Sequence, residues 1–245
     1  MHHTAILGAM KLHLGVLALL MPLAALADDT AEYKLTLGNY RYDAGYSGQD
    51  VNLRRRAGDT NAWLAVYRDR EFGQQARTGV DTSIELADAL ALQPSVQAAT
   101  RGFLGGSINL QWGATWFGLV GWGRTNLRPY YNLNWDPNDA VTIGLGWRGD
   151  GGRTVSVTLI ADDRLHTHQR DLHLFGRWPL GESLRLTLDL MHKSGLGGDD
   201  GSLAVRAWGW SATLDWPAWF LRLAHDPKQN FSGLDADRLS IGLRF

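Results

Sequence analysis

The sequence contains no cysteine, almost no net charge and, beyond residue 27, no long hydrophobic run. The absence of cysteine excludes disulfides, thiolate metal sites and cysteine nucleophiles. A formal net charge of -1 gives no sign of the basic surface that nucleic-acid binding needs, so we expect no nucleic-acid partner. A transmembrane helix needs about 20 apolar residues in a row, so we expect no such helix in the mature chain.

Glycine and tryptophan are abundant instead, with 29 and 11 copies in 245 residues. Indole side chains are enriched where a protein surface crosses the interface between lipid and water. A soluble domain of this size seldom carries so many of them. The composition therefore favours a membrane protein.

Residues 1–27 are predicted to be a cleavable signal peptide, and residues 28–245 to be the mature protein. Lys11 and His13 precede an apolar run over residues 14–20, and Ala25-Leu26-Ala27 offers the small residues that signal peptidase requires. Translation from Met10 would keep all of these features. The alternative is a retained helical anchor, but the apolar run is too short to cross about 30 Å of hydrocarbon as a helix.

The mature sequence alternates apolar and polar residues over segments of about ten residues. Leu184, Leu186, Leu188 and Leu190, for example, alternate with polar side chains, and the same period recurs over residues 141–148, 154–159, 207–216 and 238–245. Alternate side chains of a strand point to opposite faces, so one face meets hydrocarbon and the other is polar. The pattern predicts an all-β transmembrane up-and-down antiparallel β-barrel. A soluble sandwich or lipocalin-like barrel is the alternative, but indoles near strand ends and arginines on the polar faces disfavour it.

The predicted barrel has twelve strands, or fourteen. Short turns are predicted at residues 136–139, 149–152 and 181–183, and longer loops at 163–169, 194–202 and 226–237. Fifteen segments have strand-like patterns: 33–42, 48–56, 61–70, 78–87, 94–103, 107–113, 116–124, 128–135, 140–148, 153–162, 170–178, 183–192, 203–216, 219–226 and 237–245. Bacterial single-chain barrels have even strand numbers, and the divisions between Leu86 and Arg128 are ambiguous. Twelve strands are preferred because they leave ordinary turn lengths.

The last eight residues, Arg238 to Phe245, carry apolar residues at alternate positions and end in an aromatic ring. Together with the leader and the alternating strands, this end resembles the bacterial outer-membrane β-barrel class. The resemblance implies a Gram-negative outer-membrane protein in which Ile241, Leu243 and Phe245 form the signal read by the barrel-assembly machinery. It implies lipid and lipopolysaccharide as surroundings. In size the chain is similar to the small monomeric oligosaccharide-specific porins, which have twelve strands and an arginine-lined lumen.

The alternation assigns a set of charged residues to the lumen. These are Arg148, Arg177, Arg185, Arg222, Arg238 and Arg244, with Asp162, Asp189, Asp215 and Asp226. Guanidinium groups suit carboxylates and phosphates, so an arginine-containing lumen would favour anionic or saccharide solutes. The alternative is that arginines and aspartates pair and fill the barrel.

Other aromatic and basic features have plainer interpretations. Most of the tryptophans are expected in the interfacial girdle rather than as sugar-stacking platforms, namely Trp112, Trp116, Trp122, Trp135, Trp147, Trp178, Trp208, Trp210, Trp216 and Trp219. The run Arg54-Arg55-Arg56 could meet lipopolysaccharide phosphates, although a solvated rim is the simpler reading.

The hypotheses of an enzyme and of a metal site have less support in the sequence than the barrel does. His192 and Ser194 have the His-x-Ser spacing of outer-membrane lipid A deacylases and share one strand face, with Lys193 expected to face lipid or rim. No acidic partner can be assigned to them. His166 and His168 lie near Asp162 and Asp163, but two histidines without a defined third ligand seldom form a site, so we expect no metal and no cofactor.

The leading hypothesis is a passive, porin-like outer-membrane channel. A non-conducting structural or interaction barrel is the competing hypothesis, and a lipid-modifying hydrolase comes third.

Overall fold

The computed structural model describes residues 32–165, 168–198 and 200–245. The predicted signal peptide at 1–27 lies outside these residues. The described part of the chain forms fourteen strands: β1 Tyr33–Tyr42, β2 Ser47–Ala57, β3 Thr60–Arg68, β4 Gln74–Thr82 with Ile84–Ala87 after Ser83, β5 Leu90–Ala99, β6 Phe103–Trp112, β7 Trp116–Thr125, β8 Ala140–Arg148, β9 Thr154–Asp162, β10 Arg170–Pro179, β11 Arg185–Gly197, β12 Leu203–Asp215, β13 Trp219–Asp226 and β14 Ala236–Arg244. Within the described ranges, no helix is long and apolar enough to cross a membrane.

Each strand pairs antiparallel with its neighbour in sequence, and β14 pairs with β1 to close the sheet. At the seam Lys34 lies opposite Arg244, and two backbone hydrogen bonds of 2.9 and 3.0 Å join Tyr33 to Phe245. Closure lets backbone N–H and C=O groups pair within the sheet, which a strand in hydrocarbon requires. The predicted up-and-down barrel is therefore confirmed.

The two ends of the barrel differ. Turns at the end that holds Tyr33 and Phe245 are short, for instance residues 58–59 and 88–89, and the longest connections, 126–139 and 227–235, lie at the opposite end. Outer-membrane barrels have short periplasmic turns and longer extracellular loops. We therefore call these the periplasmic and the outer end.

Apolar side chains at alternate positions form a belt on the outside. Leu64, Leu145 and Trp116 are 60%, 61% and 67% exposed. On β11, Leu188 and Leu190 are exposed on the outward face and Asp189 points inward to a histidine of β10. Such a belt is stable in hydrocarbon and unfavourable in water, so the structure confirms the predicted outward orientation.

The described residues form fourteen strands, the larger of the two predicted counts. The preference for twelve was wrong, because the ambiguous region between Leu86 and Arg128 holds three full strands, β5 to β7. Residues 128–135, one of the fifteen strand-like segments, are not a strand. The backbone turns at Leu127 and Trp135, where φ is 58° and 72°, and the segment folds into the barrel instead.

Candidate functional site

A long connection between β7 and β8, residues 126–139, folds into the outer half of the lumen, and we call it the inward loop. Its Leu133 and Trp135 are 3% and 5% exposed. They pack among ring and aliphatic side chains of the barrel interior, including Tyr40 and Ala236. The loop thus buries apolar area that would otherwise face water in the lumen. The predicted tight turn at 136–139 is the last part of this loop.

Hydrogen bonds attach the inward loop to strands on several sides of the barrel. The backbone N–H of Tyr131 donates to Gln75 Oε1 at 2.8 Å, and Gln75 Nε2 donates to the Tyr131 carbonyl at 3.0 Å. Arg238 donates to the Leu133 carbonyl at 3.3 Å, and its guanidinium lies 4.6 Å from the Trp135 ring centroid. Each bond satisfies a backbone group of an irregular segment that has no sheet partner.

The phenol of Tyr131 anchors the loop to β1 and β3. Its ring stacks on Tyr67 at 4.6 Å and 8°, and its hydroxyl donates to the Tyr42 hydroxyl at 2.6 Å. Burial raises the pKa of the Tyr131 hydroxyl, which therefore stays a neutral donor. Tyr67 in turn lies over Gly48, where any larger residue would collide with its ring.

The inward loop lies between two cavities. An inner cavity of about 780 Å³ and an outer one of about 290 Å³ both have Tyr130, Asp136, Pro137 and Asn138 in their walls. The arginines and aspartates of the lumen therefore leave a large space unfilled. The loop therefore narrows the lumen between the two spaces.

Basic side chains gather on one side of the barrel interior, where Lys34, Arg54 and Arg222 line the inner cavity and Arg244 lies next to them. Lys34 of β1 is in register with Arg54 of β2 on one side and Arg244 of β14 on the other, so all three face inward side by side. Lys34 Nζ lies 4.4 Å from the ring centroid of Phe220, and the guanidinium carbons of Arg222 and Arg244 lie 5.7 and 5.8 Å from it. We call Lys34, Arg54, Arg222 and Arg244 the basic wall.

The six predicted lumen arginines lie at different depths. Arg222 and Arg238 line the inner cavity. Arg185 and Arg244 both pair with Asp215, at 3.7 and 2.7 Å. Near the periplasmic end, Arg148 lies over the Phe117 ring at 4.0 Å, and Arg177 donates to the Thr187 hydroxyl at 3.4 Å.

Sequence reasoning missed Lys34 and Arg54 as members of the basic wall. Lys34 and Thr36 alternate with Leu35 and Leu37, which was a sufficient signal for an inward lysine. Arg54 was read only as part of a basic run. The structure separates that run, because Arg54 lines the inner cavity and Arg55 points outward beside Glu32.

Ion pairs also fill part of the lumen. Arg77 donates to Asp50 at 2.7 Å, with both side chains buried. Lys193 and Asp226, both 0% exposed, form a second buried pair. The expectation that Lys193 faces lipid or rim was therefore wrong. It faces inward by the same alternation that turns His192 and Ser194 outward.

His192 and Ser194 lie on the outward face of β11. The ring of His192 packs at 4.6 Å from that of Trp208 on the outer surface. Within the described part of the chain, no hydrogen bond joins His192 to Ser194, although the two share a face as predicted. Of the other predicted histidine pair, His166 lies outside the described residues. Asp163, three residues earlier in the sequence, binds Arg124 in a bidentate pair at 2.6 and 2.7 Å.

Several of the tryptophans predicted for the girdle face outward, and one does not. Trp112, Trp116, Trp122, Trp208 and Trp210 are 44–67% exposed on the outward face. Trp216 and Trp219 stack on each other at 4.0 Å at a periplasmic turn. Trp135 is instead buried in the inward loop, because it lies outside the strands whose alternation the girdle follows.

The barrel is similar in fold to solved outer-membrane proteins. Omp33 of Acinetobacter baumannii aligns with a TM-score of 0.56 at 9% identity, covering 88% of this chain and 98% of that one. The NanC porin aligns with a TM-score of 0.49 at 9% identity (86% and 100% covered), and the KdgM porin with 0.48 at 5% (86% and 99%). No protein-family model and no curated protein sequence matches the chain. The chain therefore has the closed antiparallel β-barrel fold of a solved outer-membrane protein, and its apolar belt is the lipid-facing surface of such a barrel.

Proposed function

We propose that the protein is a passive outer-membrane channel that favours small anionic solutes, acidic saccharides among them. The observation that carries the proposal is the basic wall, in which Lys34, Arg222 and Arg244 surround one inward ring, Phe220, beside an unfilled cavity. A lumen lined by one sign of charge concentrates ions of the opposite sign.

The carboxylates that line the inner cavity compensate this charge poorly. Asp50 is paired with Arg77, and Asp136 is in contact with His173 at 2.9 Å. Asp81 accepts a hydrogen bond of 2.8 Å from Asn61. Of the basic wall only Arg244 has an ion-pair partner, Asp215, among the described residues. Lys34, Arg54 and Arg222 therefore remain available to a passing anion.

The rest of the lining suits a hydroxylated solute. Trp63 and Tyr40 present aromatic surface to the inner cavity, and Asn52, Gln93, Gln97 and Asn109 present amides. Amide groups both donate and accept hydrogen bonds. A saccharide that carries a carboxylate would use both the basic wall and these neutral groups.

The test is the reversal potential of the purified protein in a planar bilayer under a KCl gradient. We expect reproducible conductance steps and a reversal potential of the sign for chloride preference. Replacing both Lys34→Glu and Arg222→Glu should reverse that sign. Arg55→Glu is the matched control, because Arg55 faces outward at the periplasmic end and should leave selectivity unchanged. Selectivity that is identical in the double variant and the parent would contradict the proposal.

A non-conducting structural barrel is the second candidate, and the inward loop is the observation in its favour. Residues 131–136 are bonded to strands on several sides of the lumen and occupy its outer half. Complete absence of conductance steps, in a preparation whose folding is verified by heat-dependent gel migration, would support this second candidate and remove the first.

A further inference from the structure

We propose that the inward loop is held to the barrel wall by a divalent transition-metal ion, zinc in the first instance, bound by Asp136, Asp171 and His173. Asp136 belongs to the inward loop, and Asp171 and His173 lie two residues apart on the inward face of β10. Their ligand atoms all lie within 4.8 Å of one another. Two carboxylates and an imidazole form a donor set that zinc accepts, usually with a water as fourth ligand.

Asp171 is the residue that points to a ligand. Its side chain is 0% exposed, and among the described residues neither of its carboxylate oxygens has a hydrogen-bond partner. A buried carboxylate without a partner is strongly unfavourable, and buried charges are normally paired or bound to a metal. Its register neighbour Lys193 on β11 is already paired with Asp226.

His173 is oriented as a metal ligand would be. Its Nδ1 lies 3.1 Å from both carboxylate oxygens of Asp189, and its Nε2 lies 2.9 Å from Asp136 Oδ1. A histidine that binds a metal through one ring nitrogen commonly donates the other N–H to a carboxylate. Asp189 would accept that bond and serve as a positioning residue, and Nε2, which already contacts Asp136, would bind the ion.

The basic groups around the cluster leave one carboxylate without a close partner. Four carboxylates meet here, those of Asp136, Asp171, Asp189 and Asp226. Lys193 pairs with Asp226, and His173 contacts Asp136 and Asp189, whereas Asp171 has no ion-pair partner among the described residues. A divalent ion would supply that partner. It would also link β10 covalently, through coordinate bonds, to the inward loop.

The experiment measures zinc in the detergent-purified barrel, prepared without a histidine tag. Bound metal is removed with EDTA, and the protein is then incubated with zinc chloride and desalted. The zinc that remains bound is measured by elemental mass spectrometry. We expect about one zinc per chain in the parent, and at least a tenfold loss in Asp171→Asn and in His173→Gln. Asp189→Asn should bind zinc about 10 to 100-fold more weakly in a titration while keeping the same stoichiometry at saturation.

The matched control is His225→Gln. His225 also contacts a carboxylate through Nδ1, Asp237 at 2.8 Å, but no second carboxylate of the described ranges forms a metal-ligating cluster with them. This variant should retain the parent's zinc. Heat-dependent gel migration verifies that each variant is folded. A folded parent that retains no zinc, or folded Asp171→Asn and His173→Gln variants that retain as much as the parent, would overturn the proposal. Neither result depends on conductance, so it leaves the channel proposal separately testable.

Discussion

Gln75 and Tyr131 exchange two hydrogen bonds in the outer half of the lumen, the amide of Gln75 both accepting from and donating to the backbone of Tyr131. Gln75 is 1% exposed and lies on the inward face of β4. One barrel side chain thus satisfies both backbone polar groups of Tyr131 in the inward loop.

Removal of this contact should loosen the constriction. Gln75→Ala leaves the N–H and C=O of Tyr131 unpaired, which costs about 1–3 kcal/mol where the groups are buried. We expect the inward loop to leave its position part of the time and single-channel conductance to rise. Gln74→Ala is the control, because Gln74 is the exposed neighbour on the outward face. Equal conductance in the two variants would show that the loop does not limit ion flow.

The buried pair of Lys193 and Asp226 should contribute strongly to the free energy of unfolding. Lys193→Met leaves a fully buried carboxylate without its partner, and we expect a loss of about 3–5 kcal/mol. The double variant Lys193→Met with Asp226→Leu should recover much of that loss. Chemical unfolding of the refolded barrel measures the free energy of unfolding of the parent and of both variants.

The control for that pair is Lys228→Met. Lys228 pairs with Asp235 at 3.1 Å, but both side chains are more than a third exposed. Such a pair is worth about 0–1 kcal/mol. A loss in Lys193→Met no larger than in Lys228→Met would contradict the expectation.

Acid should loosen the base of the inward loop. Burial of Asp139 acts to raise its pKa, but hydrogen bonds from Thr125 and Arg164 outweigh burial and lower the pKa of this carboxyl below its usual value. Because the pKa of Asp139 is lower in the folded state, its ionised form stabilises the fold above about pH 3.9, the pKa of an aspartate in the unfolded chain. This stabilisation is lost as the pH falls through the folded-state pKa.

The readout is proteolysis of the loop over a series of pH values with an acid-stable protease. Cleavage within residues 126–139 should increase at the acid end in the parent. In Asp139→Asn, which cannot ionise, cleavage should be raised already at neutral pH and change less with acid. An identical pH dependence in the two proteins would show that Asp139 is not the responsible group.

Phe245 should contribute to assembly of the barrel in addition to its packing contact. Phe245 stacks on Tyr33 at 5.8 Å across the seam, a cross-strand pair worth about 0.2–1 kcal/mol. If Phe245, with Leu243 and Ile241, forms the assembly signal, Phe245→Ala should lower the folded protein in outer-membrane fractions severalfold. Tyr33→Ala removes the same stack and should have a much smaller effect. Equal losses of folded protein in Phe245→Ala and Tyr33→Ala would show that Phe245 acts through closure of the barrel and not as an assembly signal.

Much of the fold was predictable because strand alternation is a local property. Leu186, Leu188 and Leu190 must point to one side of an extended chain and Asp189 to the other, whatever the neighbouring strands are. The polar side of this pattern also placed Arg222 and Arg238 in the lumen. Where several short turns and glycines lie close together, between β4 and β7, alternation alone did not fix the strand divisions.

The sequence by itself therefore determined the barrel, its outward belt and its closing strand, since each follows from residues near one another in the chain. Tertiary structure alone decided the inward loop, the basic wall and the cluster around Asp171. Their members lie far apart in sequence, as Gln75 does from Tyr131 and Lys34 from Arg244. They meet only when fourteen strands close at a particular register, because closure sets which side chains lie opposite one another across the lumen.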